Sequence, residues 1–76
     1  MKTYIDVIAH FKIDGSIVPV YLNYEGHYYK IDHVRQVIPA ASLKSGGMGL
    51  RYTCSIHGQV RYLFLEDSKW FIEKIN

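Results

Sequence analysis

Two alternating runs meet at an Asp14-Gly15 pair, so that residues 4–24 read YIDVIAHFKI-DG-SIVPVYLNY. No other stretch limits the possible folds so tightly. Asp-Gly favours a two-residue type I′ turn, whose twist matches that of two antiparallel strands. Such a turn sets Ile13 opposite Ser16 and Phe11 opposite Val18. Ala9 then meets Val20, Val7 meets Leu22, and Ile5 meets Tyr24. All pairs but the first are apolar, so turn chemistry and side-chain period agree on a hairpin with one buried face. The other face sets Ile8 against Tyr21, with Ile17 and Pro19 nearby. That apolar patch is buried by a barrel corner or the long loop, or else it is a partner surface.

Pro19 has no N–H to give a neighbouring strand, so the ladder on its far side is expected to break or bulge there. After a turn at Glu25-Gly26, Tyr29 and Ile31 continue the inward series opposite Leu22 and Val20. The phase then slips by one, because Val34 and Ile38 fall on even numbers. A slip of one is the signature of a β-bulge, expected at Asp32-His33, which bends the strand from one sheet into another. Pro39 ends that strand. The segment 39–49 contains Gly46, Gly47 and Gly49 and is expected to be an irregular loop. Residues 50–57 alternate again, with Leu50, Tyr52, Cys54 and Ile56 on one face. Gly58-Gln59 suits a type II′ turn, which places Cys54 opposite Leu63, Tyr52 opposite Leu65 and Arg51 opposite Glu66. A three-residue 57–59 loop is the competing arrangement. Residues 66–69 form the last loop, after which Trp70 faces Leu65, Phe71 faces Phe64 and Ile72 faces Leu63. The expected core is Phe11, Val20, Tyr52, Leu63, Leu65, Trp70 and Ile72.

These runs define an all-β chain: a single small antiparallel barrel or meander of five to six strands over residues 1–76, with one long glycine-rich loop. The 49% hydrophobic content is ample for a globular core, though a chain of this length buries only about 60% of its unfolded surface. The meander of short, bent strands resembles the SH3-like small barrels, which serve as adaptor and nucleic-acid-binding modules. The runs EGHYYKIDHV and RYLFLEDSKWFIEK also resemble short bacterial all-β proteins of that type, which have no assigned activity to carry over.

Little in the sequence points to catalysis. Cys54 is the only cysteine, is expected to point inward, and has no histidine within reach in this register. Cys54 and His57 have metal-ligand spacing, but residues three apart on a strand point to opposite faces. No second ligand pair completes a tetrahedral set, and no metal or cofactor is expected. The KSGGMG stretch lacks the spacing and following helix of a phosphate-binding loop. Lys44, Gly46, Gly47 and Arg51 could at most form a weak anion nest.

The expected function is therefore a surface. Tyr62, Phe64 and Phe71 share the outer face of the last three strands, flanked by Arg51, while Tyr21 and Ile8 form the patch on the first hairpin. The reading is a non-enzymatic interaction module that contacts another protein or itself, as a homodimer, through exposed aromatics. The alternative is a nucleic-acid-binding small barrel, since aromatics on a sheet beside cations stack and hold single strands. A formal charge of +2 permits an acidic partner without demanding one. No small-molecule substrate is implied. Without a long apolar run, neither secretion nor membrane insertion is expected, and the cytoplasm is the expected compartment.

Overall fold

The computed structural model describes residues 1–40 and 49–73. Every regular element in them is a strand: Lys2–Ile5 (β1), Val7–Phe11 (β2), Ile17–Tyr24 (β3), His27–Lys30 (β4), His33–Pro39 (β5), Gly49–Ile56 (β6), Gln59–Glu66 (β7) and Lys69–Glu73 (β8). They form two antiparallel sheets, a three-stranded one in the order β2-β3-β4 and a five-stranded one in the order β1-β8-β7-β6-β5. The expected barrel of five to six strands is thus corrected to eight strands in two sheets. Two of the runs bend sharply enough to divide between sheets.

Both bends are visible in the backbone hydrogen bonds. At the first, Asp6 separates β1 from β2, and its carbonyl accepts the Asn23 N–H at 2.8 Å. At the second, the Ile31 N–H donates to the Val20 carbonyl and the next N–H, of Asp32, donates to the Ser55 carbonyl, both at 2.9 Å. Consecutive amides on an extended chain point in opposite directions. Here that alternation ties one residue to each sheet. The slip expected at Asp32-His33 is this corner. A true bulge follows one turn of the pleat later, at Arg35, which has no partner between the Val34–Cys54 and Gln36–Thr53 pairs.

The first hairpin differs from expectation in an instructive way. Its loop has three residues, with Lys12 N–H bonded to the Ser16 carbonyl and Gly15 N–H to the Lys12 carbonyl. Only Gly15 (φ 92°) is left-handed, which is a type I turn closed by a glycine bulge and not the type I′ turn. Asp14 is still chosen by the turn, since its carboxylate accepts bonds from the Ser16 amide and hydroxyl. The longer loop sets Phe11 opposite Ile17 and Ala9 opposite Pro19. A bulge that leaves Val20 unmatched then restores the expected Val7–Leu22 pair. The shift puts Pro19 inside and carries the tip of the hairpin past the core. Phe11, expected to be buried, is 73% exposed. The β3–β4 ladder stops at Tyr21–Lys30, short of Pro19 as its missing donor requires.

The second half of the chain keeps its faces but not all of its registers. His57 and Gly58 (φ 51° and 73°) form the type I′ turn, in place of Gly58-Gln59. The register is thereby moved by two residues, so that Tyr52 meets Leu63 and Cys54 meets Arg61. A slip of two preserves the alternation. Leu63 therefore stays inside with Tyr52 and Cys54, while Leu65, Trp70 and Ile72 pack partly buried against them. Glu66 now faces Gly49 and not Arg51. Leu65–Trp70 and Phe64–Phe71 pair as expected around a loop of only two residues, Asp67 and Ser68. The Tyr52 hydroxyl crosses between the sheets to donate to the Ile17 carbonyl at 2.6 Å. Its ring lies 5.2 Å from Trp70.

Two substitutions follow from this backbone. A Cβ on Gly49 would lie 2.6 Å from the Leu65 carbonyl oxygen, a backbone atom within the paired ladder that cannot swing aside. Gly49→Ala should therefore cost about 1–3 kcal/mol in chemical denaturation, the range of overpacking. Ser68 holds φ 63°, a conformation that costs an L-residue about 1–2 kcal/mol and glycine little. Ser68→Gly should raise stability by up to about 1 kcal/mol after glycine's extra chain entropy is subtracted, seen as a higher melting temperature.

Candidate interaction surfaces

The outer face of the five-stranded sheet is built on one row of directly paired residues. Reading across the sheet, Ile38 meets Arg51, Arg51 meets Phe64, Phe64 meets Phe71, and Phe71 meets Tyr4. Phe64 and Phe71 are stacked at 5.0 Å, with planes 8° apart, and Tyr4 tilts against Phe71 at 5.7 Å. Lys2 reaches over the Phe71 ring, its Nζ 4.7 Å from the centroid, to pair with Glu66 at 3.0 Å. The hydrogen bond that Lys2 donates to the Glu66 carboxylate holds the Lys2 pKa above its usual value. Phe71 is only 1% exposed, so it is a packing residue and drops out of the expected contact surface. Phe64 is half-buried beside it. Tyr62, at 51% exposure, is the member of the expected trio that stays open. The Arg51 guanidinium lies over the Tyr62 ring at 4.5 Å, and its Nε is buried without a hydrogen-bond partner. A planar cation over an aromatic face is favourable, yet this cation is already engaged.

The three-stranded sheet is more open. Ile8 and Tyr21 pair directly, as expected, and both are exposed. Tyr28 on β4 is exposed beyond them, and Phe11 and Ile13 protrude at the hairpin tip. Pro19 and Ile17 do not belong to this patch, because the Val20 bulge turns Pro19 into the core. The structure brings together Ile8 with Tyr21, and Arg51 with Tyr62, Phe64 and Phe71, on two different sheets. Lys44, Gly46 and Gly47 lie in the 41–48 segment, outside the described residues.

A feature that sequence reasoning missed is an open cleft of about 790 Å³ where the sheets diverge. Leu22, Tyr24 and Tyr29 line it from the small sheet, and Ile56, Leu63 and Ile72 from the large one, with Arg61 and Glu73 at its rim. Nothing in the local pattern announces it, because it lies between elements and belongs to none. His57 stands at its edge, its ring 5.7 Å from Tyr29 and its backbone N–H bonded to the Asp32 carboxylate.

Cys54 is fully buried, and burial pushes its thiol from the ordinary 9.0 up to about 11. A thiol held in its neutral form is a poor nucleophile. Among the described residues, no three His, Cys, Asp or Glu side chains come together as a metal cluster would require. No helix in them is long and apolar enough to cross a membrane.

Comparison with protein-family models, with curated proteins and with solved structures finds no match to this chain. The resemblance to SH3-like barrels and to short bacterial proteins therefore rests on the strand pattern, of which the all-β architecture is what stands.

The raised thiol has a consequence for alkaline stability. A group whose pKa is higher folded than unfolded contributes stability below the unfolded value and loses it as pH rises through the folded one. The melting temperature should fall between about pH 9 and about pH 11, and Cys54→Ala should make that fall shallower. Tyr52, whose hydroxyl is also raised by burial, would account for a remaining decline. A thiol reagent at neutral pH should leave the folded protein unlabelled and react once it is unfolded.

Proposed function

We propose that this chain is a non-enzymatic interaction module of the SH3-like small-barrel type, working in the cytoplasm, that associates with itself through exposed apolar side chains. The barrel reading draws on the pairing order: followed through its two corners, each of the six runs has a paired neighbour on either side. The observation that carries the functional reading is the concentration of exposed Ile8, Phe11, Ile13, Tyr21 and Tyr28 on one small sheet and its hairpin. Apolar patches of this kind mark protein contacts more often than they stand open on a lone chain. The large-sheet face fits a contact role less well, since its central ring, Phe71, is covered by Tyr4, Phe64 and Lys2.

Arg51 over Tyr62 favours a second reading, the binding of single-stranded nucleic acid on the large sheet. Against it, Glu66 already neutralises Lys2 on that face, and Glu73 pairs with Lys2 in the ladder.

Sedimentation separates the two. The self-association reading expects a mass above that of one chain, little changed between low and high salt, and Phe11→Glu should weaken that association about tenfold or more by placing a charge in the contact. A single-chain mass at every concentration, with an added oligonucleotide that co-sediments only at low salt, would overturn it in favour of nucleic acid.

A further inference from the structure

Small β proteins must protect the unpaired margins of their sheets, because a free edge is a template for another strand. Among the described residues four margins are open, and three are blunted. β1 carries Lys2 and β4 carries Lys30, and each strand is only four residues long. β5 is bent by the Arg35 bulge and ends on Pro39, which has no N–H. β2, Val7–Phe11, has no proline, no formal charge and no bulged residue of its own.

The direction of its free groups can be worked out. Lys12 N–H and the Asp6 carbonyl both bond to β3 or its turn. By the alternation of an antiparallel ladder, Ile8 and His10 do the same, while Val7, Ala9 and Phe11 turn their N–H and C=O groups away. On the same margin one step earlier, Thr3 and Ile5 are satisfied by β8, opposite Ile72 and Trp70. β8 begins only at Lys69, after the Asp67-Ser68 turn. The bent β1–β2 run therefore outlasts its neighbour, and the overhang is three residues whose outward donors and acceptors have no strand beside them among the described residues.

We infer that this overhang is where two copies of the chain join, β2 against β2 in antiparallel fashion about a twofold axis through Ala9, giving one continuous sheet in the order β4-β3-β2-β2-β3-β4. This rests on the self-association reading and names its contact. The register is self-complementary: Ala9 meets the partner's Ala9, and Val7 meets the partner's Phe11, so every outward group of the overhang is used. A twofold contact requires such a patch to match itself. Charge allows it on β2, where no cation meets its own copy, whereas Lys2, Lys30 or Arg35 would lie close to themselves on the other margins. Phe11 also finds a use. It sits on the inward-facing side of β2 yet beyond its own core, 73% exposed, and in this register it lies against the partner's Val7. On the outer side, exposed Ile8 lies beside the partner's His10.

Amide hydrogen exchange of the full chain, followed by NMR over increasing protein concentration, tests this. Ile8 and His10 should be protected throughout, and exchange at Val7, Ala9 and Phe11 should slow as the dimer fills. Ala9→Pro removes an outward N–H without touching the bonds to β3, which an edge position tolerates. It should raise the dimer dissociation constant about tenfold or more, since two symmetry-related bonds are lost. Should that variant fail to fold, the exchange pattern of the unaltered chain decides. A dimer in which Val7, Ala9 and Phe11 still exchange fast would overturn the edge contact and leave self-association standing. A chain that is monomeric at every concentration would remove both.

Discussion

The fold depends on two places where the backbone changes sheets while staying hydrogen-bonded. A buried amide without a partner costs about as much as a lost hydrogen bond, and a chain of 76 residues has little stability to spare. Dividing the strands into two sheets would ordinarily create two sets of unsatisfied corner groups. At Ile31-Asp32 the problem is solved by sending adjacent N–H groups to Val20 in one sheet and Ser55 in the other. At Asp6 the carbonyl takes the Asn23 amide as the chain passes across. The Tyr52–Ile17 bond adds a side-chain tie between the same two layers. With the sheets held at both corners, Leu22, Ile31, Tyr52, Cys54 and Leu63 can close on one another as a single core.

The same geometry decides which surfaces remain open. On the large sheet, the row from Ile38 to Tyr4 lets aromatic rings stack flat on the pleat, and the Lys2–Glu66 pair lies across the top of Phe71. The face thereby becomes a second, shallow apolar layer with its own charged cover. The small sheet has only three strands and, among the described residues, nothing comparable over it, so Ile8, Tyr21 and Tyr28 face outward. Its hairpin, lengthened by a three-residue loop, projects Phe11 and Ile13 beyond the core. The proposed contact role therefore moves from the large sheet, where aromatic content alone would put it, to the smaller one.

Much of this could be read from residues 1–76 before any coordinates. Alternation identified the runs and their inward faces, Pro19 marked where the β3–β4 ladder stops, and the phase change near Asp32 marked the corner. The Ile8–Tyr21 pair was legible on the outer face because both lie near the Val7–Leu22 pair, where the register agrees. Both register readings that differ begin at a turn. Asp-Gly fits both a two-residue and a three-residue loop, and only the position of the bonds from Lys12 distinguishes them. His57-Gly58 and Gly58-Gln59 both supply a glycine, so the turn slid by one residue and the register by two, without disturbing a single face.

What the sequence by itself determined is the sheet character of the chain, the period of its side chains and hence most of its core, because these follow from neighbours one and two residues away. What only the tertiary structure decided is how far each strand extends past its partner. The burial of Phe71 needed Tyr4 and Lys2, which are nearly seventy residues distant in the chain. The exposure of Phe11 needed the three-residue loop and the bulge at Val20 that together carry the hairpin tip past the core. The cleft between the sheets and the free margin of β2 are relations between elements, set by the angle at which two layers meet and by where β8 begins. No local pattern encodes them, since an alternating run looks the same whether a neighbour lies alongside it or not.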